Sequence, residues 1–230
     1  MEKSLGFILD ALPALAVGAG VTLQLTIAAT FFGAILGIAL SLARLSKVRP
    51  VRWLARIYID FVRGTPLLVQ LMIIYFGFPS LFRSMGANQL TISQWLAAII
   101  GLSLNSAAYL AEIFRAGIQS IEVGQREASE SLGLGPWQTM RYIIFPQAFR
   151  RMVPPLGNEF IILLKDTSLV AFIGYQDLLR QGQLVVAKNF RPFEIYITVA
   201  LIYLALTLIS SQFFSWLERK LDPAQAGKAA

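Results

Sequence analysis

The chain has 230 residues, 56% of them hydrophobic and 14% charged, with a formal net charge of +7 and neither cysteine nor histidine. An average soluble domain has about a quarter of its residues charged, and one this short has no core large enough to hide so much apolar surface. Lack of Cys and His excludes disulfides, thiolate nucleophiles, imidazole bases and the usual zinc or haem ligands, and the positive balance reads as cationic loops held on the cytoplasmic side of a membrane rather than as a nucleic-acid footprint.

In chain order, Glu2, Lys3 and Asp10 stand where a signal peptide would have a basic n-region and a small-residue cleavage site. The first hydrophobic helix is therefore expected to be the insertion signal. No charge falls between Asp10 and Arg44, a longer run than one span needs. Pro13 to Gly20 is expected to divide it into an outer segment, 1–20, and a first span from Val21 to Ala43. Gly33 and Gly37 form a small-xxx-small pair suited to close helix contact; a glycine-rich helix with no specific partner is the plainer reading.

A second uncharged run lies between Arg63 and Arg83 and opens with Gly64-Thr65-Pro66. The third runs from Thr91 to Ala111. The fourth, Met152 to Leu164, is short and holds Pro154, Pro155 and Glu159. The fifth, Ile195 to Leu217, is bounded by Glu194 and by Glu218-Arg219-Lys220, with Trp216 at an interfacial position. Leu169 to Ile173 and Gln183 to Val186 are candidates for a further re-entrant or interfacial helix.

Five spans put the termini on opposite sides. With the N-terminus outside, the inner side holds fourteen basic residues (Arg44, Lys47, Arg49, Arg52, Arg56, Arg63, Arg115, Arg126, Arg141, Arg150, Arg151, Arg219, Lys220, Lys228). The outer side holds six: Lys3, Arg83, Lys165, Arg180, Lys188 and Arg191. The positive-inside rule selects this orientation. The expected fold is an all-α membrane protein of about five transmembrane helices. Its body spans 21–218 and includes a cytoplasmic hairpin at 122–146, and a cytoplasmic tail follows at 219–230.

That inner loop is too long and too patterned for a simple connection. Gln125 to Leu132 reads as a short helix, and Gly133 follows where a left-handed backbone costs glycine little. Pro136 starts a second helix through Ile144, and Pro146 is expected to end it. Trp137, Met140, Tyr142, Ile143 and Phe145 are free to pack on protein or lipid. Arg126, Glu127, Glu130 and Arg141 point outward, and small Ala128 and Ser129 allow another protein close to the backbone. An amphipathic hairpin resting on lipid is the structural alternative.

Glu127-Ala128-Ser129, three residues, Gly133, nine residues, then Ile143-x-Phe145-Pro146 resembles the EAA motif of ABC importer permeases, departing at Ser129 and Phe145. Arg63-Gly64-Thr65-Pro66-Leu67-Leu68, Ala108-Tyr109-Leu110-Ala111-Glu112-Ile113, and Asn158-Glu159 through Lys165-Asp166-Thr167-Ser168-Leu169 are similar to the polar amino acid branch of that family. The resemblance covers almost the whole chain, from Gly20 to Trp216. It implies a type I (MetI-like) permease fold in the bacterial inner membrane, working with an identical or similar second permease copy. It also implies an extracytoplasmic amino acid binding protein and a cytoplasmic ATPase dimer, with the hairpin as the coupling helix. Arg126, Glu127, Ala128, Ser129, Gly133 and Pro146 are then the coupling residues. The sequence has no G-x-x-x-x-G-K-[ST] loop, so ATP and Mg are expected on the ATPase, no cofactor on this chain, and lipid rather than nucleic acid around it.

An ionisable residue at membrane depth is a functional-site hypothesis by default. Glu159 lies roughly 12 Å along a helix from Arg151 and roughly 9 Å from Lys165, near the midplane. Pro154-Pro155 and Gly157 suggest a broken helix, where transporters place ligands. A basic amino acid would set its α-carboxylate on backbone N–H groups or Asn105, and its side chain on Glu159. Alternatively, Glu159 caps the post-proline helix or pairs with Arg150, Arg151 or Lys165. Asn158, Asn105, Ser106 and Tyr109 either line the same cavity or join helices by hydrogen bonds; Gln70, Thr65 and Gln24 are further candidates. Within the resemblance, Asn-Glu at this place is similar to permeases for basic amino acids, and Asn-Gln to those for glutamine. An ion-coupled secondary transporter with a proton on Glu159, and a non-transporting scaffold or sensor, are the rival classes. A membrane enzyme lacks its nucleophile–base pair.

Overall fold

The computed structural model describes residues 2–86 and 91–221. The tail beyond Leu221, with Lys228, lies outside the described residues, and so does the side chain of Lys3. All regular structure in the described residues is helical.

Helix α1, Glu2–Leu45, is a single helix of 44 residues that passes Pro13 without a break. At about 1.5 Å per residue it is roughly 66 Å long, twice the hydrocarbon thickness of a bilayer. The expected division at 13–20 is thus absent. Packing on both sides of the proline accounts for this, since Ala11 and Leu15 are buried in one cluster with Leu178, Ile195 and Val199. Further along, the glycine pair is a real contact. A Cβ on Gly33 would lie 3.1 Å from Ser106 Cβ, and one on Gly37 would lie 3.1 Å from the Ala107 carbonyl. Both neighbours belong to α5, Gln94–Gln119, which is buried over most of its circumference.

Helix α2, Arg49–Gly64, stops at Thr65 and Pro66, both extended. The chain resumes as α3, Leu67–Met72, a π-helical turn Ile73–Gly77, and α4, Phe78–Ser84. A second π-helical turn, Thr139–Ile144, joins α7, Pro136–Gln138, to α8, Phe145–Asp166. Both π turns end two residues before a proline, Pro79 or Pro146. A proline lacks an N–H, and its ring collides with the carbonyl four residues back. A wider turn moves that carbonyl aside and lets the helix continue. Pro146 therefore does not end the hairpin's second arm. That arm runs on as one helical rod, 136–166, into the membrane body.

Helix α8 also passes Pro154 and Pro155 without a break. Gly157 serves packing there: a Cβ would sit 2.7 Å from Phe214 Cγ. The stretches Gly6–Leu45, Leu67–Ser84, Gln94–Gln119 and Pro192–Leu221 are long and apolar enough to cross a membrane. Helix α8 matches them in length, with 22 residues. Arg150, Arg151, Glu159, Lys165 and Asp166 hide it from hydropathy, yet it packs against α1, α5 and α10, Pro192–Leu221.

The anticipated extra helix exists as a 3₁₀ segment, Thr167–Ile173, followed by α9, Leu178–Asn189. The Asp177 carboxylate caps α9 by accepting the N–H groups of Leu179 at 3.2 Å and Arg180 at 2.9 Å, and it takes the Tyr203 hydroxyl at 3.0 Å. Thr22 Oγ1 accepts the Leu178 N–H at 3.2 Å, so α9 is tied to both α1 and α10.

Candidate functional site

The break between α2 and α3 opens onto a cavity of about 580 Å³. Arg63, Gly64, Thr65, Pro66 and Leu67 supply one wall, and Asn105 and Tyr109 of α5 supply a second. Glu159, Ile162, Asp166 and Leu169 supply the third. Spacings of three and four residues put Glu159, Ile162 and Asp166 on one face of the helical rod, and Leu169 joins them from the 3₁₀ segment that follows.

Glu159 is 8% exposed. Among the described residues no basic group stands within 4.0 Å of its carboxylate. Lys165 lines a separate groove with Tyr203 and Thr207. Arg151 donates to the Ser120 carbonyl, and Arg150 is exposed. The alternative of a structural pair with these three bases therefore does not hold, and a mid-helix glutamate caps nothing. The cation in the cavity is Arg63, stacked 5.2 Å from the centroid of the Tyr109 ring. It lies in the last turn of α2, roughly 21 Å along the helix from Arg49, and not in an inner loop as the charge count had it.

The helix break belongs to Thr65-Pro66, not to Pro154-Pro155. Gln70 makes it tolerable: its Nε2 donates to the Val62 carbonyl at 2.8 Å, the Thr65 carbonyl at 3.1 Å and Thr65 Oγ1 at 2.9 Å. A break frees the last carbonyls of a helix, and at membrane depth each needs a donor. Asn105 Nδ2 donates to Gln70 Oε1 at 3.1 Å. Gln70 is thus behind the cavity wall, while Thr65, Asn105 and Tyr109 are in it.

Three sequence candidates lie elsewhere. Asn158 follows the next helical direction round from Glu159 and faces α10, in a small cleft with Ser211, Ser215 and Glu218. Ser106 is fully buried against Gly33 of α1, and Gln24 is exposed on the outer surface of α1. Arg63 and Asp166 were not among the candidates. Asp166 carries a signal in the sequence, since it lies two helical turns beyond Glu159. Arg63 carries a weaker one, as the base immediately before the Gly64-Thr65-Pro66 breaker.

The hairpin pairs α6, Val123–Ser131, with the start of the 136–166 rod. Gly133 has φ +81°, with its N–H on the Glu130 carbonyl and the Leu134 N–H on the Ser129 carbonyl. That double bond pattern is a Schellman ending, and it needs a left-handed residue. Ser129 is buried, its hydroxyl 2.9 Å from Thr139 Oγ1. It fastens the two arms together and is unavailable to a partner protein. Glu127, Ala128, Leu132 and Trp137 are exposed, the last two at 82% and 76%. Arg126 is also exposed, at the mouth of a cleft with Leu45, Gln119 and Met140. Nearby, Glu112 holds Arg44 of α1 at 3.5 Å and Arg115 at 2.6 Å.

The chain thus combines an all-helical body that holds a charged cavity at a broken helix with an exposed helical hairpin. Residues 29–223 match the model of the binding-protein-dependent transport system inner membrane component, and the chain belongs to that family. It is 44% identical to the glutamine transport system permease protein GlnP of Escherichia coli (strain K12), over 96% of this chain and 99% of that one. It is 41% identical to the arginine transport system permease protein ArtQ of Bacillus subtilis (strain 168), over 91% and 93% of the two chains. A crystal structure of an amino acid ABC transporter with histidines superposes with a TM-score of 0.85 at 41% identity, covering 92% of this chain and 96% of that chain. The chain is an inner-membrane permease subunit of an amino acid ABC importer, with the type I permease fold.

Proposed function

We propose that the cavity carries a basic amino acid across the membrane. The observation behind this reading is one guanidinium, Arg63, facing two carboxylates, Glu159 and Asp166, in a single cavity. A basic amino acid has one carboxylate and two cations, the inverse set. Arg63 takes the α-carboxylate in a paired, charge-assisted geometry; Glu159 and Asp166 take the α-ammonium and the side-chain cation. Asn105, Tyr109 and Thr65 complete the walls. Glutamine is the second reading, supported by the 44% identity to a glutamine permease. It would leave one carboxylate without a counter-charge.

In this reading the N-terminus faces outward and a binding protein delivers the amino acid there. Two cytoplasmic ATPase subunits, holding ATP and Mg, engage the hairpins of this chain and a second permease copy. Arg126, Glu127, Ala128, Leu132 and Trp137 form the docking face, and Gly133, Ser129 and Pro146 shape it. Movement of the hairpin passes straight into α8, because the second arm and α8 are one rod. Glu159 rides on that rod. Alternating access then becomes a rigid-body switch between two packings, biased by ligand only through different affinity for the two states.

The test is uptake of labelled arginine and glutamine into liposomes holding the chain with its co-purifying partners, with and without ATP on the ATPase side. Arginine uptake should need ATP and fall about tenfold or more in Glu159→Gln, since a hydrogen-bonded charge is worth about 1.5–3 kcal/mol. Uptake of glutamine alone would remove the basic substrate, and gradient-driven uptake without ATP would overturn the coupling.

A further inference from the structure

We infer that Gln70 is a positioning residue that fixes which end of the Asn105 amide faces the cavity; this rests on the cavity being the substrate site. The argument starts from atoms with no freedom of role. The carbonyls of Val62 and Thr65 only accept hydrogen bonds, so the group within 2.8 and 3.1 Å of them must be the Gln70 nitrogen. That turns the Gln70 oxygen toward Asn105. An oxygen in turn requires the Asn105 nitrogen, at 3.1 Å. The helix break thus dictates the orientation of an amide two steps away. Asn105 is 7% exposed and lines the cavity, and among the described hydrogen bonds none takes up its Oδ1.

The consequence is chemical. With its nitrogen held at the wall, Asn105 offers the cavity an acceptor. It reads an N–H group of the substrate, an ammonium, amide or guanidinium, rather than the carboxylate that its residue type alone allows. The carboxylate is left to Arg63. A ligand lacking a donor at this place leaves a buried amide oxygen unpaired, which the site penalises.

The experiment measures KM and kcat for ATP-driven uptake of labelled arginine and of labelled glutamine by the reconstituted complex. Gln70→Met removes the clamp on Asn105, and Asn105→Ala removes the acceptor. Each should raise KM about tenfold with kcat within about twofold, the pattern of lost binding. The double variant should be no worse than the poorer single one, because Gln70 acts through Asn105. Gln70→Glu in its protonated form keeps one donor for the Val62 or Thr65 carbonyl and an acceptor for Asn105. It should recover most of the affinity lost in Gln70→Met. Additive KM losses, or a fall in kcat at unchanged KM, would overturn the inference and leave Gln70 as a helix brace. If Asn105→Ala is silent while Glu159→Gln is inactive, the relay alone is rejected. If both are silent, the cavity reading fails and takes the relay with it.

Discussion

Thr65-Pro66 and Pro154-Pro155 are two proline sites in membrane-embedded helices, and they behave in opposite ways. At the first the chain leaves the helix, with Thr65 at φ −121°, ψ 145° and Pro66 at φ −64°, ψ 135°. At the second, two consecutive prolines sit inside a continuous 22-residue helix. A proline in a helix interior is unfavourable by about 3 kcal/mol in either place. What differs is the fate of the carbonyls. At Thr65-Pro66 the Gln70 amide takes them up. At Pro154-Pro155 the carbonyls four residues back belong to Arg150 and Arg151, both exposed residues near the hairpin. Buried Met152, Val153, Gly157 and Leu163 hold the helix together across the site. A proline therefore marks where a break is permitted, and a waiting donor decides whether one forms.

The strongest way to break the comparison is to heal the real interruption. Pro66→Ala with Gly64→Ala favours continuous helix by about 4 kcal/mol on propensity alone. It should withdraw Thr65 from the cavity wall and bring uptake to background at normal membrane levels. Because the chain has no native cysteine, aqueous thiol labelling of Thr65→Cys reports the same change; undiminished labelling and uptake in the healed variant would refute it.

A smaller effect comes from adding a proline where none stands. Gly133→Pro cannot adopt φ +81° and loses the N–H that bonds Glu130. It should reshape the hairpin end and uncouple ATP hydrolysis from uptake, lowering uptake about tenfold with insertion intact; Glu127→Lys should do likewise on the exposed face. Normal uptake in both variants would count heavily against docking there. The smallest effect belongs to Pro154→Ala/Pro155→Ala, expected to leave uptake within about twofold and to raise the thermal midpoint slightly. Lost transport in this variant would mean that α8 must bend at the prolines during the cycle.

Much of the site was legible, but unevenly. Glu159 and Tyr109, which line the cavity, were singled out because a charge in an apolar stretch and a motif are local signals. Gly133 was found because a helix of this length followed by glycine and proline has few other endings. Pro146 and Pro154-Pro155 misled because proline was read as a stop, and no local pattern announces a compensating π turn or a packing partner such as Phe214. Asn158 and Ser106 were grouped with the cavity on polarity, although each stands one residue from a cavity residue and so points about 100° away from it; Gln24 lies on α1, which does not line the cavity.

By itself the sequence determined the membrane class, the helical runs and the hairpin with its left-handed glycine. Each follows from partition into lipid or from the conformational range of a single residue. Only the tertiary structure decided that Arg63 lines one cavity with Glu159 and Asp166, that Gln70 holds Asn105, and that Ser129 closes the hairpin instead of facing outward. Those meetings depend on how each helix is rotated about its own axis against neighbours tens of residues away, and an apolar run carries no record of that angle.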